Sequence, residues 1–281
     1  MERINDIGKL KQIARAVRSD IIRMTEEAGS GHPGGSLSIT DVLVVLYFSV
    51  LRHKPDNPNW EDRDIVILSK GHACPAFYSV LARSGYFPVE ELLTLRKLGS
   101  RLQGHPAKDK ALPGIEVSSG SLGQGLSVAT GAAIGLKYIR KKPSRVFCIL
   151  GDGELEEGQV WEAAATAGHY KLDNLCAIVD NNNLQIDGHL PEVKNIYPID
   201  EKFKAFQWET ITIDGHNYEQ ILSAFNKAKR IKGKPVVIIA KTIKGKDVSF
   251  MEDAVEWHGK APSKELAEKA LNEIKKGLSN D

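Results

Sequence analysis

The stretch RVFCILGDGE, residues 145–154, places a short apolar segment directly before a Gly-Asp-Gly sequence. A short apolar run bounded by a turn is typical of a buried β-strand. Three more segments share this pattern, at residues 64–69, 174–179 and 235–240. Because helix-like segments separate them, the pattern predicts an α/β fold, with a mostly parallel sheet and helices on both of its faces.

Apolar residues at helical spacing predict the helices that cover this sheet. Residues 6–28 form one such segment, and Thr40 or Asp41 is placed to cap a second helix that runs through Leu51. Residues 123–138 (GQGLSVATGAAIGLKY) form a third helix, rich in small residues. Each glycine inside a helix lowers the stability of that helix by about 1 kcal/mol relative to alanine. We therefore expect this helix to pack tightly against another helix, across a subunit interface.

The remaining organisation of the chain is simple. Residues 263–281 are charged and predict a solvated helix that ends in a frayed terminus. The sequence contains no internal repeat, low-complexity tract or evident interdomain linker, so residues 1–281 are predicted to form a single domain.

Composition excludes several classes of protein. The 38 Lys and Arg nearly balance the 36 Asp and Glu, which argues against a nucleic-acid partner. The most apolar stretch, residues 42–51, falls short of the roughly 20 residues that cross a bilayer, so no membrane partner is expected. Cys74, Cys148 and Cys176 form no CxxC pair, which disfavours a disulfide or zinc framework. With no secretory leader in the opening MERINDIGKLK, the prediction is a soluble cytoplasmic protein.

The site is expected where parallel strands end, just after Leu68, Leu150 and Val179. Asp152 follows one of these ends, and Asn182 follows the next strand 30 residues later (182 − 152), which is one crossover. Carboxylate and amide oxygens suit Mg²⁺ and disfavour zinc or copper. The helix that follows Asp152 offers free N–H groups for a diphosphate. Each motif alone is more often an ordinary turn or helix cap, but the pair at this spacing favours a metal site.

Four histidines lie in loops that contain glycine or proline: His32, His72, His105 and His258. Imidazoles around one pocket can donate hydrogen bonds to an alkoxide or a phosphate and can transfer protons near neutral pH. A single loop histidine is more often solvated, although His72 follows a predicted strand end. His53, between Arg52 and Lys54, has the pattern of a solvated surface residue.

At these residues the sequence resembles the transketolase family of thiamine diphosphate enzymes, over nearly its whole length. The shared motifs are SGHPG at 30–34, GH at 71–72, GHP at 104–106, GSLGQG at 120–125, GDG at 151–153 with EG at 157–158, DNN at 180–182 and HG at 258–259. Gly-Asp-Gly followed by an asparagine about 30 residues later occurs across thiamine diphosphate enzymes. The histidine loops with Leu-Gly-Gln-Gly indicate the transketolase branch. The resemblance implies the thiamine diphosphate-binding fold, with thiamine diphosphate and Mg²⁺ as cofactors.

The resemblance also assigns roles to residues. It implies that Mg²⁺ is held by Asp152, Asn182 and the backbone carbonyl of Leu184. It implies that the cofactor is contacted by His72, Gly120, Leu122, Gly151, Asp152, Gly153, Glu154, Asn182 and His258. Sugar substrate would be bound by His32, His105 and His258, with His72 completing the catalytic histidines. Glu157 and Glu162 match acidic residues near the subunit boundary that couple two active sites.

One further segment resembles a family feature. Residues 241–246 match a mobile segment that closes over bound cofactor, in which Lys244 and Lys246 are interpreted as solvated surface lysines rather than phosphate ligands.

The chain ends where a full-length transketolase continues into a pyrimidine-binding domain and a third domain. The pyrimidine-binding domain carries the glutamate that activates the cofactor, so we expect no catalysis by this chain alone. The resemblance implies the N-terminal subunit of a split transketolase (EC 2.2.1.1). It would transfer a two-carbon ketol unit from a ketose phosphate to an aldose phosphate in the pentose phosphate pathway. A C-terminal subunit would complete an α2β2 heterotetramer around a homodimer core.

Three alternatives remain open at this point. The chain could belong to a split ketol-transferring enzyme of the same branch that acts on an unusual sugar. It could be a Mg²⁺-dependent phosphohydrolase that uses Asp152, active without thiamine or a partner. It could also be a non-catalytic regulatory or assembly subunit, although both predicted metal ligands are present.

Overall fold

A five-stranded parallel sheet forms the centre of the computed structural model, which describes residues 3–277. The strands are β1 (Ile65–Leu68), β2 (Val146–Gly151), β3 (Leu175–Asn181), β4 (Glu209–Asp214) and β5 (Val236–Lys241), in the order β1-β2-β3-β5-β4. The four predicted strands are confirmed as β1, β2, β3 and β5. Their continuous apolar runs reflect burial on both faces of the sheet.

Strand β4 was not predicted, and its position explains why. It lies at the edge of the sheet and pairs only with β5. Of its six residues only Ile213 is buried, so the segment ETITID lacks the continuous apolar run of a central strand. Charged and β-branched residues at an edge are typical of strands that must not pair further.

Helices cover both faces of the sheet, as predicted. They are α1 (Ile7–Ala28), α2 (Pro33–Val45), α3 (Cys74–Arg83), α4 (Gln124–Ile134), α5 (Gly158–His169), α6 (Leu190–Val193), α7 (Ile199–Ala205), α8 (Tyr218–Arg230) and α9 (Lys264–Lys276). Helices α1, α2, α3, α8 and α9 contribute to one apolar core, and α4, α5 and α7 to another. Successive residues of β2 alternate between these cores, as the pleat of a strand requires.

The predicted start of the second helix is wrong. Helix α2 begins at Pro33, whose fixed φ suits the first helical position, and not near Thr40 or Asp41. Both of these residues are buried inside the helix. The carboxylate of Asp41 accepts two hydrogen bonds from Arg18 of α1, so it serves as an ion-pair partner and not as a cap.

The apolar stretch around α2 is longer than residues 42–51. Pro33–Val50 has a mean hydropathy of 1.4 over 18 residues, enough by length and composition to cross a membrane, but all of it is buried inside the fold. Helix α2 continues into a π-helical turn at Leu46–Val50 and packs between α1 and α3. Burial, rather than length, identifies it as a core helix.

The other predicted helices are present with modest shifts. Asp6 caps α1 at the Lys9 amide, so the predicted segment 6–28 is confirmed. Helix α4 and a π-helical turn at Gly135–Ile139 fill the predicted segment 123–138. Helix α9 covers most of the predicted C-terminal helix, whose last residues, 278–281, lie outside the described part of the chain.

The glycines of α4 differ in their surroundings. A β-carbon at Gly125 would lie 2.3 Å from the Ser69 hydroxyl, so this glycine permits close packing of α4 on the end of β1. At Gly131 and Gly135 a β-carbon would meet no atom within 4 Å, so these two glycines face outward.

His53 is not the solvated residue that its charged neighbours indicated. It is buried, with Nδ1 3.1 Å from the Tyr86 hydroxyl and Nε2 3.0 Å from the Tyr47 carbonyl oxygen. Its role is therefore structural, at some distance from the sheet edge described next.

Candidate functional site

A cavity of about 100 Å³ opens at the carboxyl edge of the sheet. Apart from Gly35 of α2, the residues that line it belong to segments at or after the ends of β1, β2, β3 and β5, which is the predicted edge of the sheet. The lining residues are Gly35, Lys70, His72, Leu122, Gly151, Asp152, Gly153, Glu154, Asn182, Leu184, Gln185, Ile186, Lys244 and His258. Segments more than 200 residues apart in the chain thus converge on one small space.

The three predicted metal ligands lie together around this cavity. The Asp152 carboxylate accepts hydrogen bonds from the Gly153 amide (2.9 Å), the Asn181 side chain (3.0 Å) and the Asn183 amide. The Asn182 side-chain oxygen accepts from the Leu184 amide at 3.1 Å, which folds the loop after β3 back on itself. The residues that carry the predicted carboxylate, amide and carbonyl oxygens therefore line one cavity.

This donor set fits a hard divalent cation. Burial raises the pKa of Asp152 to about 6, although the hydrogen bond from Asn181 opposes the shift. A cation beside the carboxylate would offset that cost of burial. Within residues 3–277 no three His, Cys, Asp or Glu side chains converge as metal ligands, so a cation here would depend on amide and carbonyl oxygens. Such ligands suit Mg²⁺, which also takes oxygens from phosphates.

The helix whose N-terminus was predicted to bind a diphosphate begins five residues after Gly153, at Gly158. A 3₁₀ turn at Gly153–Glu156 separates β2 from α5, whose first residue is Gly158. Neither Glu157 nor Gly158 lines the cavity. The N–H groups nearest the Gly-Asp-Gly sequence are those of the 3₁₀ turn, because the chain tightens there before the helix begins.

Glu154 connects three of the segments near this cavity through hydrogen bonds. Its buried carboxylate accepts hydrogen bonds from the Ser69 hydroxyl, the Gly123 amide (2.8 Å) and the Gly151 amide (3.0 Å). It therefore joins the ends of β1 and β2 to the start of α4. Because its acceptor sites are occupied by protein donors, Glu154 positions the loops that line the cavity.

The four predicted histidines form a cluster beside the cavity. The ring of His32 lies 5.5 Å from that of His72, 5.9 Å from His105 and 5.6 Å from His258, centroid to centroid. His72 and His258 are 5.1 Å apart. Gly120 permits this approach, because its φ of +141° is unfavourable for other residues and a β-carbon there would lie 3.0 Å from the His105 ring.

Burial favours the neutral form of all four imidazoles. Burial, followed by nearby positive charge, lowers the pKa of His32 to about 4 and that of His258 to about 3. The same causes lower the pKa of His72 and His105. Nδ1 of His32 is buried and has no hydrogen-bond partner in the described chain. It is free to bond a ligand.

Lys244 is buried, which corrects its interpretation as a solvated surface residue. Its ammonium contacts His258 Nδ1 at 2.8 Å and the Leu184 carbonyl oxygen at 3.4 Å. Burial lowers its pKa to about 8. Since Lys244 donates to Nδ1, the proton of His258 resides on Nε2. Lys246 is partly buried and pairs with Glu252 at 3.1 Å, away from the cavity.

Lys70 is a cavity residue that the sequence analysis missed. Its ammonium forms an ion pair with Asp180 and donates to the Gly35 carbonyl oxygen at 3.2 Å. Asp180 also accepts from the hydroxyls of Ser38 (2.6 Å) and Thr242. The available signal was position, because Lys70 lies two residues before His72 at a strand end.

Glu157 and Glu162 lie apart from the cavity. Both are exposed, Glu157 directly before α5 and Glu162 within it, and α5 packs against α4. Glu157 immediately precedes the first residue of α5, and a β-carbon at Gly123 would lie 2.7 Å from its side chain. Glu157 thus lies beside the start of α4, and the coupling role of the two glutamates stays a prediction.

Comparison with known proteins gives a consistent result. Residues 9–280 match the family described as transketolase, thiamine diphosphate binding domain. The chain is 43% identical over 267 residues to the 6-deoxy-6-sulfo-D-fructose transketolase subunit SqwG of Clostridium sp. (strain MSTE9), covering 95% of this chain and 96% of that subunit. It is 45% identical over 265 residues to transketolase of Mus musculus, covering 94% of this chain and 42% of that protein.

Solved structures agree in fold. Transketolase from Campylobacter jejuni subsp. jejuni NCTC 11168 matches with a TM-score of 0.90 and 35% sequence identity, over 96% of this chain and 43% of that chain. Transketolase from Leishmania mexicana matches with a TM-score of 0.89 and 31% identity, over 97% of this chain and 41% of that chain. The chain therefore spans less than half of these longer proteins.

Proposed function

This chain belongs to the transketolase family and forms its thiamine diphosphate-binding domain, and from this premise we propose that it is the N-terminal subunit of a split transketolase. The observation that carries the proposal is a cavity lined by the three oxygen donors, His72 and His258, with His32 and His105 clustered beside it. The Clostridium relative supports the assignment of this chain as a subunit. That relative is named a subunit, and this chain covers 96% of it.

In this proposal Mg²⁺ is held by Asp152, Asn182 and the Leu184 carbonyl, next to a diphosphate. Lys70 and Lys244 place two ammonium groups in the lining of the same cavity, where negative charge would be stabilised. Thiamine diphosphate, when bound, supplies the carbon nucleophile of ketol transfer. The chain anchors its charged end and keeps that end away from bulk water.

The histidine cluster would bind the oxygens of a sugar. Neutral imidazoles can donate a hydrogen bond to a carbonyl or alkoxide oxygen without the desolvation cost of a buried cation. His258 presents an N–H at Nε2, and His32 has a free Nδ1. Both rings, with His105, therefore suit sugar hydroxyl and carbonyl groups. In this proposal the same three imidazoles transfer protons at those oxygens.

The partner is proposed to be a C-terminal subunit with the pyrimidine-binding domain and a third domain, in an α2β2 assembly in the cytoplasm. An exposed face of α4 and α5 supports the homodimer core. Gly131 and Gly135 face open space there, and Val128 is 42% exposed. Tyr138 is nearby and 49% exposed. Light scattering of the purified chain should show a dimer at micromolar concentration, and a monodisperse monomer would contradict this part of the proposal.

The substrates are proposed to be a ketose phosphate as donor and an aldose phosphate as acceptor. A sulfonated sugar is the second candidate, because the Clostridium relative is named for 6-deoxy-6-sulfo-D-fructose. Parallel assays with a ketose phosphate and with 6-deoxy-6-sulfo-D-fructose as donors would decide.

The test is ketol transfer by the purified chain with thiamine diphosphate and Mg²⁺, with and without a candidate C-terminal subunit. Activity only in the mixture is the expected result. Release of phosphate by the chain alone, without thiamine diphosphate, would instead support a Mg²⁺-dependent phosphohydrolase. No activity in either case would favour a regulatory subunit.

A further inference from the structure

The segment at residues 242–247, which follows β5, has contacts on two sides. On one side Lys244 reaches the cavity and contacts His258. On the other side the segment faces a polar cluster between α1, α2 and the start of α8. We call Arg18, Asp41, His216 and Tyr218 the Asp41 cluster.

Asp41 is the centre of this cluster. Its carboxylate is 3% exposed and accepts hydrogen bonds from Arg18 Nη1 (2.9 Å) and Nη2 (2.7 Å), and from the Tyr218 hydroxyl. Burial would raise the pKa of Asp41, but the charge of Arg18 and the hydrogen bonds from His216 and Arg18 hold it well below its usual value. An ionised carboxylate only accepts hydrogen bonds, so every neighbour must donate to it.

This requirement fixes the tautomer of His216. Its Nδ1 lies 2.7 Å from Asp41 Oδ2 and must therefore carry a proton. The opposite nitrogen, Nε2, accepts from the backbone amide of Ile243 at 2.9 Å. The ring thus connects a carboxylate buried in α2 to the backbone one residue before Lys244. Arg18 adds a second connection, with its Nε 3.2 Å from Asp247 Oδ2.

We infer that His216 is a positioning residue, which through the Ile243 amide holds the 242–247 segment so that the Lys244 ammonium lies against His258 and the Leu184 carbonyl. His216 does not line the cavity, and its bond to the Ile243 amide is the contact that leads to Lys244. Neither the spacing of the motifs nor the family comparison assigns it this role. The effect on cofactor affinity rests on the proposed function, whereas the effect on the segment does not.

The experiment compares three variants of the full chain with the wild type. His216→Phe keeps the ring but removes both nitrogens. His216→Gln places an amide oxygen at about the reach of Nε2, and is the conservative rescue. Ser249→Ala is the matched control, because it removes the hydroxyl hydrogen bond from Ser249 to Glu273 in the same loop, keeps the backbone one, and does not touch Ile243.

The first readout is hydrogen exchange of the Ile243 amide, with nitrogen chemical shifts of His216 reporting its tautomer. We expect the Nδ1–H tautomer in the wild type. Exchange should be roughly 10-fold faster in His216→Phe, near the wild-type rate in His216→Gln, and unchanged in Ser249→Ala. Equal exchange in wild type and His216→Phe, or the opposite tautomer, would overturn the inference. If His216→Phe does not fold, His216→Asn replaces it, since its shorter amide reaches Asp41 but not Ile243.

The second readout is the affinity for thiamine diphosphate with MgCl₂, measured by calorimetry in the presence of the partner. It should fall about 10-fold in His216→Phe and recover in His216→Gln, because Lys244 is displaced and restored. An unchanged affinity in His216→Phe with faster exchange would show that the segment does not position Lys244. Absence of binding by the wild type would refute the proposed function instead, and would leave the exchange result intact.

Discussion

The ion pair between Lys70 and Asp180 can be tested as a determinant of stability. The two side chains are 2% and 0% exposed, and Lys70 is part of the cavity lining. Lys70→Met keeps the length of the side chain but removes its charge. The Asp180 carboxylate is then left with neutral donors, chiefly the hydroxyls of Ser38 and Thr242. An uncompensated buried charge is the expected consequence.

The magnitude follows from this geometry. Removing one partner of a buried ion pair costs about 3–5 kcal/mol. Because two hydroxyls still donate to Asp180, we expect the lower end, about 3 kcal/mol. Replacing both partners, as in Lys70→Met with Asp180→Asn, should cost less than Lys70→Met alone, since no charge remains buried. Lys204→Met is the matched control, because its pair with Asp200 is exposed and should contribute below about 0.5 kcal/mol.

The assay is urea unfolding of the full chain at pH 7 without cofactor, which separates stability from any loss of cofactor binding. Circular dichroism and tryptophan fluorescence must give the same transition for the free energy of unfolding to be meaningful. The reasoning is refuted if Lys70→Met loses no more stability than Lys204→Met. It is also refuted if the double variant loses the sum of the two single losses, because the pair would then be uncoupled.

Three further predictions concern the metal site, acid stability and packing. Asp152→Ala should weaken Mg²⁺-dependent binding of thiamine diphosphate in the assembled enzyme by at least roughly 100-fold in calorimetry, since even outer-shell substitutions cost 10–100-fold. Unfolding by urea should become easier as pH falls from about 6.5 toward 4, because unfolded histidines bind protons near pH 6.5 whereas His32 and His258 in the folded chain bind them only near 4 and 3. Gly125→Ala should destabilise the chain by about 1–3 kcal/mol through overpacking. Gly131→Ala on the same helix should be neutral or stabilise it by up to about 1 kcal/mol.

Each of these three predictions has a result that would contradict it. Unchanged cofactor affinity in Asp152→Ala would remove the metal assignment. For the pH prediction, His258→Gln is the control and should show a shallower loss of stability in acid; an identical pH profile would mean that other groups dominate. The packing prediction fails if Gly125→Ala and Gly131→Ala have equal effects, since only the first would place a β-carbon 2.3 Å from another atom.

The central strands were predictable because burial on both faces demands continuous apolar sequence, and β2 and β3 have it. The edge strand β4 was not, because one buried residue in six leaves too weak a pattern. The start of α2 was misplaced for a related reason. Asp41 has the sequence pattern of a helix cap, and only the approach of Arg18 from another helix shows that it is an ion-pair partner.

The metal and histidine candidates of the site were predicted, but the burial and pairing of its two lysines were not. Asp152, Asn182 and His72 follow strand ends, so topology alone brings them near one another. Lys70 and Lys244 were missed or misassigned because lysine is usually solvated. Their burial depends on partners that are distant in sequence, namely Asp180 for Lys70 and His258 with a backbone carbonyl for Lys244.

The sequence by itself determined the α/β architecture, the resemblance to transketolases and the identity of the metal and histidine candidates. These features depend on local periodicity and on short motifs, which a linear sequence contains in full. Only the tertiary structure decided which charged groups are buried, where the proton of His216 resides and which loop that ring holds. These properties arise from the electrostatic contacts of residues far apart in the chain. Folding creates those contacts, and no local pattern encodes them.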